Sequence, residues 1–431
     1  MSEPTIVTIE KLVFGGQGLA RVNGKVIFVW NALPGETVEI EILKEKKGIT
    51  EAVATKILTP SPHRVDPKDA HFLSTSPWQI CDYTQENIWK KEVALETYRK
   101  IGGDVFSQID LDIIFPDEQY HYRNKMEFSF TILPDGSNSL AFFKRGKRDK
   151  FPIEKSELAE PIINETANKI LTWINENHIP IRSLKSLIIR SDGRGHAISA
   201  LFIKDKLQFE TYPETNTNLL GFQLYYSTHK SPASVPTQLV YTTGQDYITI
   251  ELKTTETSTK LKSGLLSFFQ VHIPIFEKAL HDIATHIGSG HDVIDFYSGV
   301  GSIGLPLANS QTQLTLVDNN EEAIEYAKQN IIENNLNNSE AHCILAEKMI
   351  DIVTKDKIII VDPPRAGLHP NVVTKLLEVT PPKIIYLSCD LSTQARDIGL
   401  LSLKYSITFS QLYNFFPRTP HIEGLVVLEK K

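Results

Sequence analysis

From residue 268 onward, short apolar runs alternate with longer amphipathic stretches. Val293-Ile294, Leu314-Thr315-Leu316-Val317, Ile358-Ile359-Ile360-Val361 and Ile384-Ile385-Tyr386-Leu387 are apolar without interruption. Such runs read as strands covered on both faces, as in a parallel sheet flanked by helices. Between two of them, Asn319-Asn320-Glu321-Glu322 caps a helix that brings Ala323, Ala327 and Ile331 to one face. The rhythm predicts an α/β, doubly wound domain over residues 266–431. The N-terminal stretch differs. Val26-Ile27-Phe28-Val29 and Val38-Glu39-Ile40-Glu41-Ile42 are short segments broken by Gly15-Gly16, Asn23-Gly24 and Pro34-Gly35, which predicts a five-stranded β-barrel over residues 1–60. The proline pair Pro60-Ser61-Pro62 closes it. Residues 61–265, with a helical piece at 86–101 and strand-rich sequence from Tyr122, read as a central α+β domain.

A chain of 431 residues is too long for one typical core, in keeping with several domains. With 45 basic and 52 acidic residues the net charge is −7, so a nucleic-acid partner must meet local basic patches rather than a basic protein. No apolar stretch approaches the roughly 18 residues of a membrane span, and Met1-Ser2-Glu3-Pro4 has no signal-peptide character, so no membrane association and a cytoplasmic location are expected. Cys81, Cys343 and Cys389 are the only cysteines. They exclude a disulfide framework and a four-cysteine metal site within one chain, and no metal is expected.

Three strand ends carry the chemistry. In open α/β sheets, ligands bind beyond the carboxyl ends of the strands. There the chain places Asp295-Phe296-Tyr297-Ser298-Gly299, Asp362-Pro363-Pro364-Arg365 and Cys389. Gly299-Val300-Gly301-Ser302-Ile303-Gly304 fits the dinucleotide fingerprint and opens toward an expected helix. Asp318 ends the next strand, about 20 residues on, where a carboxylate can take both hydroxyls of a ribose. The module is therefore expected to bind an adenosine-bearing ligand, either a nicotinamide dinucleotide or S-adenosylmethionine. The two differ in whether a pyrophosphate must sit at a helix N-terminus.

The combination resembles the S-adenosylmethionine-dependent RNA uracil-5-methyltransferases over nearly the whole chain. The resemblance rests on Phe268-Phe269-Gln270-Val271, the 295–301 loop, Asp362-Pro363-Pro364-Arg365-Ala366-Gly367, Ser388-Cys389 with Thr393-Gln394-Ala395-Arg396-Asp397, and Phe416 to Glu423. Asp-Pro-Pro turns of this kind favour S-adenosylmethionine over a dinucleotide. The resemblance implies a Rossmann-like class I methyltransferase domain at the C-terminus and an RNA-binding, TRAM- or OB-like barrel at the N-terminus. It implies that Cys389 adds to carbon 6 of uracil, that Glu423 removes the carbon-5 proton, and that Gln270, Tyr297, Asp318 and Asp362, with the glycines Gly299 and Gly301, hold S-adenosylmethionine. The expected substrate is a uridine of large-subunit (23S) ribosomal RNA. The barrel argues against the alternative, the T-loop uridine of transfer RNA. A decayed RNA-binding factor is a rival reading that intact Cys389, Asp362 and Glu423 disfavour.

The chain departs from the family pattern in places. Where many ribosomal-RNA members hold an iron–sulfur cluster on four cysteines, only Cys81 is present, so no cluster is expected. Asp390-Leu391 replaces the usual Asn-Pro, adding a carboxylate able to raise the pKa of the neighbouring thiol. Ser298 and His272 replace a common cysteine and asparagine. Arg396 is either an activator of the thiol or a helix-surface arginine. The basic run 144–150 is either a solvated loop or a phosphate contact.

Overall fold

A computed structural model describes residues 5–46, 48–254 and 258–431. The N-terminal barrel has six strands rather than five: Thr5–Thr8, Lys11–Leu12, Gly18–Val22, Lys25–Trp30, Thr37–Lys46 and Ile49–Thr59. The extra strand arises because the first one breaks at Ile9-Glu10, where the Ile9 N–H donates to the Glu36 carbonyl and the Glu10 N–H to that of Leu19. One half pairs with Thr37–Lys46 and the other with Gly18–Val22, so the bend joins the two edges of the sheet. Alternate side chains such as Val7, Ile27, Val29, Val38 and Ala52 fill the interior.

Residues 61–265 contribute to more than one core. A seven-stranded sheet runs from Lys150–Pro152 at one edge to Gln238–Gly244 at the other, and the amphipathic helix Pro161–Glu176 covers one face. The other face, through Ile188, Ile198 and Phe202, shares a core with the C-terminal domain. The hairpin Tyr247–Lys253 and Ser258–Gly264 packs on the helix Glu321–Glu333, where Asn330 and Asn334 bond to the backbone of Lys262 and Lys260. The helix Tyr83–Gly102, capped by Asp82, packs on Leu391–Leu401, and Ile113–Ile114 adds an edge strand to the C-terminal sheet. Burying those apolar faces against the larger sheet outweighs their proximity in sequence to the central strands.

The C-terminal sheet has eight strands in the order Ser339–Cys343, Gln313–Asp318, Asp292–Phe296, Ile358–Val361, Lys383–Ser388, Glu423–Lys430, Tyr405–Tyr413, Ile113–Ile114. The first five are parallel, and Glu423–Lys430 runs antiparallel to both its neighbours. Chain order reverses between Asp292–Phe296 and Ile358–Val361, a topological switch point that opens a crevice. The glycine loop departs from expectation in leading into a 3-10 turn, Leu305–Ser310, instead of an α-helix. Pro306 lacks an N–H there, and the Asp295 carboxylate takes the Gly304 N–H at 3.0 Å. With no α-helix starting at the loop, the pyrophosphate of a dinucleotide has no helix N-terminus to sit on.

Candidate active site

Seven of the eight residues singled out above line one cavity of about 610 Å³: Gln270, Tyr297, Gly299, Asp318, Asp362, Cys389 and Glu423. Gly301 lies outside it. A Cβ on Gly301 would stand 2.5 Å from Leu305 and 3.0 Å from Leu316, so this glycine serves close packing. Gly299, by contrast, has nothing near its missing side chain. It and Tyr297 adopt left-handed backbone, at φ +56 and +65. The turn is anchored by the Tyr297 and Ser298 N–H groups, which both donate to the Val317 carbonyl.

Asp318 ends its strand with both carboxylate oxygens engaged, one by the Gly299 N–H at 2.9 Å and the other by the Asn320 N–H at 2.8 Å. The carboxylate thus ties the glycine loop to the cap of the next helix. Gln270 is buried. Its amide nitrogen reaches Asp362 at a long 3.5 Å, and its Oε1 has no partner. Asn124, at the start of the central sheet, holds the Gln270 carbonyl at 3.0 Å. Asp362 keeps some accessible surface where it faces the cavity, yet burial pushes its pKa up to about 7, with Gln270 pulling the other way.

Cys389 and Glu423 are joined by register. The antiparallel ladder between their strands ends at Ser388 opposite Gly424, and one step further along both strands stand Cys389 and Glu423. Glu423 is 2% exposed and its Oε2 has no partner. Burial first, then Asp362, hold its pKa well above the usual range, and Arg365 lowers it. Burial, Glu423 and Asp362 push the Cys389 thiol up to about 12, again opposed by Arg365. Asp390 is the least of the named influences. Its carboxylate also caps Leu391–Leu401, one oxygen accepting from the Ser392 and Thr393 N–H groups at 3.0 and 3.1 Å.

Arg396 is not a cavity residue. It binds the Asp397 carboxylate and the Ala366 carbonyl, 2.9 and 3.0 Å away, and so braces the Asp362–Gly367 turn. Asp397 completes that brace by accepting from the Leu368 N–H and the Tyr386 hydroxyl, each at 2.8 Å. In the basic run, Arg145 lies over Trp30 of the barrel, 3.8 Å from the ring centroid, and Lys147 pairs with Glu41, so part of the run joins two modules. Cys81 is buried and Cys343 exposed, neither at the cavity.

Sequence reasoning assigned no role to Phe268, which is 64% exposed at the cavity wall although the adjacent Phe269 is buried. An exposed phenylalanine beside a buried one cannot be recognised without the fold. It also missed the buried Glu86–Arg418 ion pair, 3.1 Å, which fastens the segment before Glu423 to the helix Tyr83–Gly102. The one sequence signal was the Glu86–Lys90 spacing inside an expected helix.

The cavity fits S-adenosylmethionine. Its volume lies in the usual range for ligand pockets, Asp318 sits where a ribose-binding carboxylate is expected, and the unpartnered Gln270 Oε1 awaits a donor. The sequence matches the family described as tRNA (Uracil-5-)-methyltransferase over residues 90–431 and the TRAM domain over residues 6–55. An uncharacterized RNA methyltransferase of Bacteroides thetaiotaomicron is 30% identical, covering 96% of this chain and 99% of the relative. One from Fusobacterium nucleatum is 28% identical, covering 99% and 95%. A crystal structure of Pyrococcus abyssi tRNA (uracil-54, C5)-methyltransferase with S-adenosyl-L-homocysteine superposes with a TM-score of 0.79 at 24% identity, covering 98% of this chain and all of that one. That overlap takes in the barrel. The chain belongs to the tRNA (uracil-5-)-methyltransferase family and is an S-adenosylmethionine-dependent RNA uracil-5-methyltransferase with an N-terminal TRAM domain.

Proposed function

We propose that the protein methylates carbon 5 of a uridine in 23S ribosomal RNA through a covalent adduct between Cys389 and carbon 6. The observation that carries the mechanism is the alignment of Cys389 opposite Glu423 at the wall of a cavity that also holds Asp318 and Asp362. Carbon 5 of uracil is a poor nucleophile, and addition of a thiolate at carbon 6 turns the ring into an enolate that can attack. S-adenosylmethionine, when bound, supplies an electrophilic methyl group. Asp318, Gln270, Tyr297, Gly299 and Asp362 would hold it. Once carbon 5 is methylated, the Glu423 carboxylate takes the remaining proton from carbon 5, and the carbon 6–sulfur bond breaks to release the thiolate. The burial that raises the Glu423 pKa makes its carboxylate the stronger acceptor at that step. Arg365, the cation that lowers the pKa of both groups, favours their ionised forms. The base must leave its stack to reach the thiol.

The TRAM domain supports a structured RNA target. A second reading, a transfer-RNA T-loop uridine, is favoured by the full-length overlap with the Pyrococcus fold. The deciding experiment incubates the protein and S-adenosylmethionine with 5-fluorouridine-substituted ribosomal or transfer RNA. Fluorine blocks the last proton removal, so an adduct on Cys389 is expected with ribosomal RNA, and mass mapping names the uridine. Trapping with transfer RNA alone moves the second reading ahead. No adduct with either, while S-adenosylmethionine still binds, rejects the carbon-6 addition.

A further inference from the structure

Gln394 is wholly buried on the helix that follows the thiol. Both hydrogens of its side-chain amide are used: Nε2 donates to the carbonyl of Tyr386 and to that of Gly424, each at 2.9 Å. Its Oε1 accepts the hydroxyl of Tyr98, a buried residue of the helix Tyr83–Gly102 that stacks on Phe106. The two carbonyls belong to adjacent antiparallel strands. Tyr386 lies just before Cys389, and Gly424 directly follows Glu423. The amide therefore bridges these strands at the end of their ladder, where the thiol and the carboxylate emerge. Gly424 admits no side chain at this clamp, since a Cβ would stand 2.2 Å from the Tyr98 hydroxyl and 2.7 Å from Gln394 Oε1.

We infer that Gln394, held by Tyr98, is a positioning residue that sets the spacing between Cys389 and Glu423 and thereby governs release of the methylated base. Gln394 is absent from the cavity lining, so it acts through the two strand ends. The inference rests on the roles proposed above for Cys389 and Glu423. Addition at carbon 6 needs the thiol alone. Release needs both groups together, because the carboxylate must take the carbon-5 proton while the carbon 6–sulfur bond breaks. A misplacement of about 1 Å between reacting groups lowers a rate roughly a hundredfold. Loosening the clamp therefore slows release more than addition.

The test uses Gln394→Leu and Tyr98→Phe in the full chain, with calorimetric binding of S-adenosylmethionine as the check on folding. Gln394→Leu is expected to form an adduct with 5-fluorouridine RNA at close to the wild-type rate. On ordinary RNA it should turn over roughly tenfold or more slower and accumulate a denaturation-resistant Cys389 adduct that the wild type does not. Tyr98→Phe, which keeps both amide donors of Gln394, should show the same accumulation to a smaller degree. Wild-type release by a folded Gln394→Leu overturns the inference, and so does an equal loss of adduct formation and turnover. If Gln394→Leu fails to bind S-adenosylmethionine, Tyr98→Phe decides, and unaltered release in it is the overturning result. A wild type that forms no adduct with fluorinated RNA rejects the proposed mechanism itself, and with it this inference.

Discussion

Gly16 of the barrel lies against Pro420, so close that a Cβ on Gly16 would stand 2.4 Å from that of the proline, and its carbonyl accepts the Trp78 Nε1–H at 3.0 Å. Pro420 belongs to the segment that leads into Glu423. The barrel thus rests directly on the segment that carries the proposed base, the same segment that the Glu86–Arg418 pair fastens to a helix.

That contact predicts the outcome of Gly16→Val. The residue sits at φ +95, where a β-branched side chain is strained, and the new side chain has no space. A stability loss of about 1–3 kcal/mol is expected. Methyl transfer should fall while S-adenosylmethionine affinity stays near wild type, because Gly16 and Pro420 do not line the cavity. Thermal denaturation, calorimetry and a methyl-transfer assay on the same preparation check this, and an equal loss of cofactor binding and activity contradicts it.

The electrostatics of the thiol predict how fast it alkylates. Anionic neighbours raise a thiol's pKa and a cation lowers it. Arg365→Gln should therefore raise the pKa of Cys389 further and slow its reaction with iodoacetamide at a given pH. Asp362→Asn should do the reverse above pH 7, where the wild-type carboxyl is ionised. The pH dependence of alkylation at Cys389, followed by mass spectrometry in the three proteins, tests the order. A faster Arg365→Gln protein would show that the arginine does not act on the thiol.

Asp362 also predicts a pH-dependent stability. The fold holds its carboxyl protonated up to about pH 7, whereas an unfolded aspartate loses its proton near pH 4. A group bound more tightly to its proton in the fold contributes fully below the unfolded pKa, and that contribution disappears as pH rises through the folded one. Wild-type stability should fall across this window, and Asp362→Asn should flatten the fall and melt higher than wild type at pH 8. Melting curves from pH 4 to 9 measure it. Parallel profiles for the two proteins would rule out the raised pKa.

Phe268 predicts an RNA-specific defect. Its exposed ring on the cavity wall is available to stack an unstacked base, an interaction that contributes about 1–3 kcal/mol where it forms. Phe268→Ala should weaken RNA binding roughly tenfold to a hundredfold and leave S-adenosylmethionine binding near wild type. Filter binding with a substrate RNA and calorimetry with the cofactor separate the two. Unchanged RNA affinity removes the ring from the RNA site.

Much of the methyltransferase domain was legible along the chain because its central strands are buried on both faces. Ile358–Val361 and Lys383–Ser388 read as strands from composition alone, and strand ends are where such sheets act. Asn320 as the cap of the helix Glu321–Glu333 was legible for the same local reason. The barrel's strand count, the 3-10 turn after the glycine loop and the attachment of Tyr83–Gly102 to the C-terminal sheet were not. Each is decided by a partner outside the element itself: the Glu36 carbonyl, the Asp295 carboxylate and the helix Leu391–Leu401.

The sequence by itself determined which side chains are available for the chemistry: the Cys389 thiol after a buried strand, carboxylates at the ends of other strands and a glycine turn. Tertiary structure alone decided that Cys389 faces Glu423, because the register that pairs Ser388 with Gly424 depends on burying the faces of two strands separated by a whole helix and strand. It also decided that Asp390 caps a helix besides raising the pKa of the thiol, that Gly301 packs instead of lining the cavity, and that the barrel braces the segment before Glu423. Local propensity fixes which element a residue belongs to. Which groups meet across elements follows from how apolar faces are covered and buried polar groups are paired, and both are properties of the whole molecule.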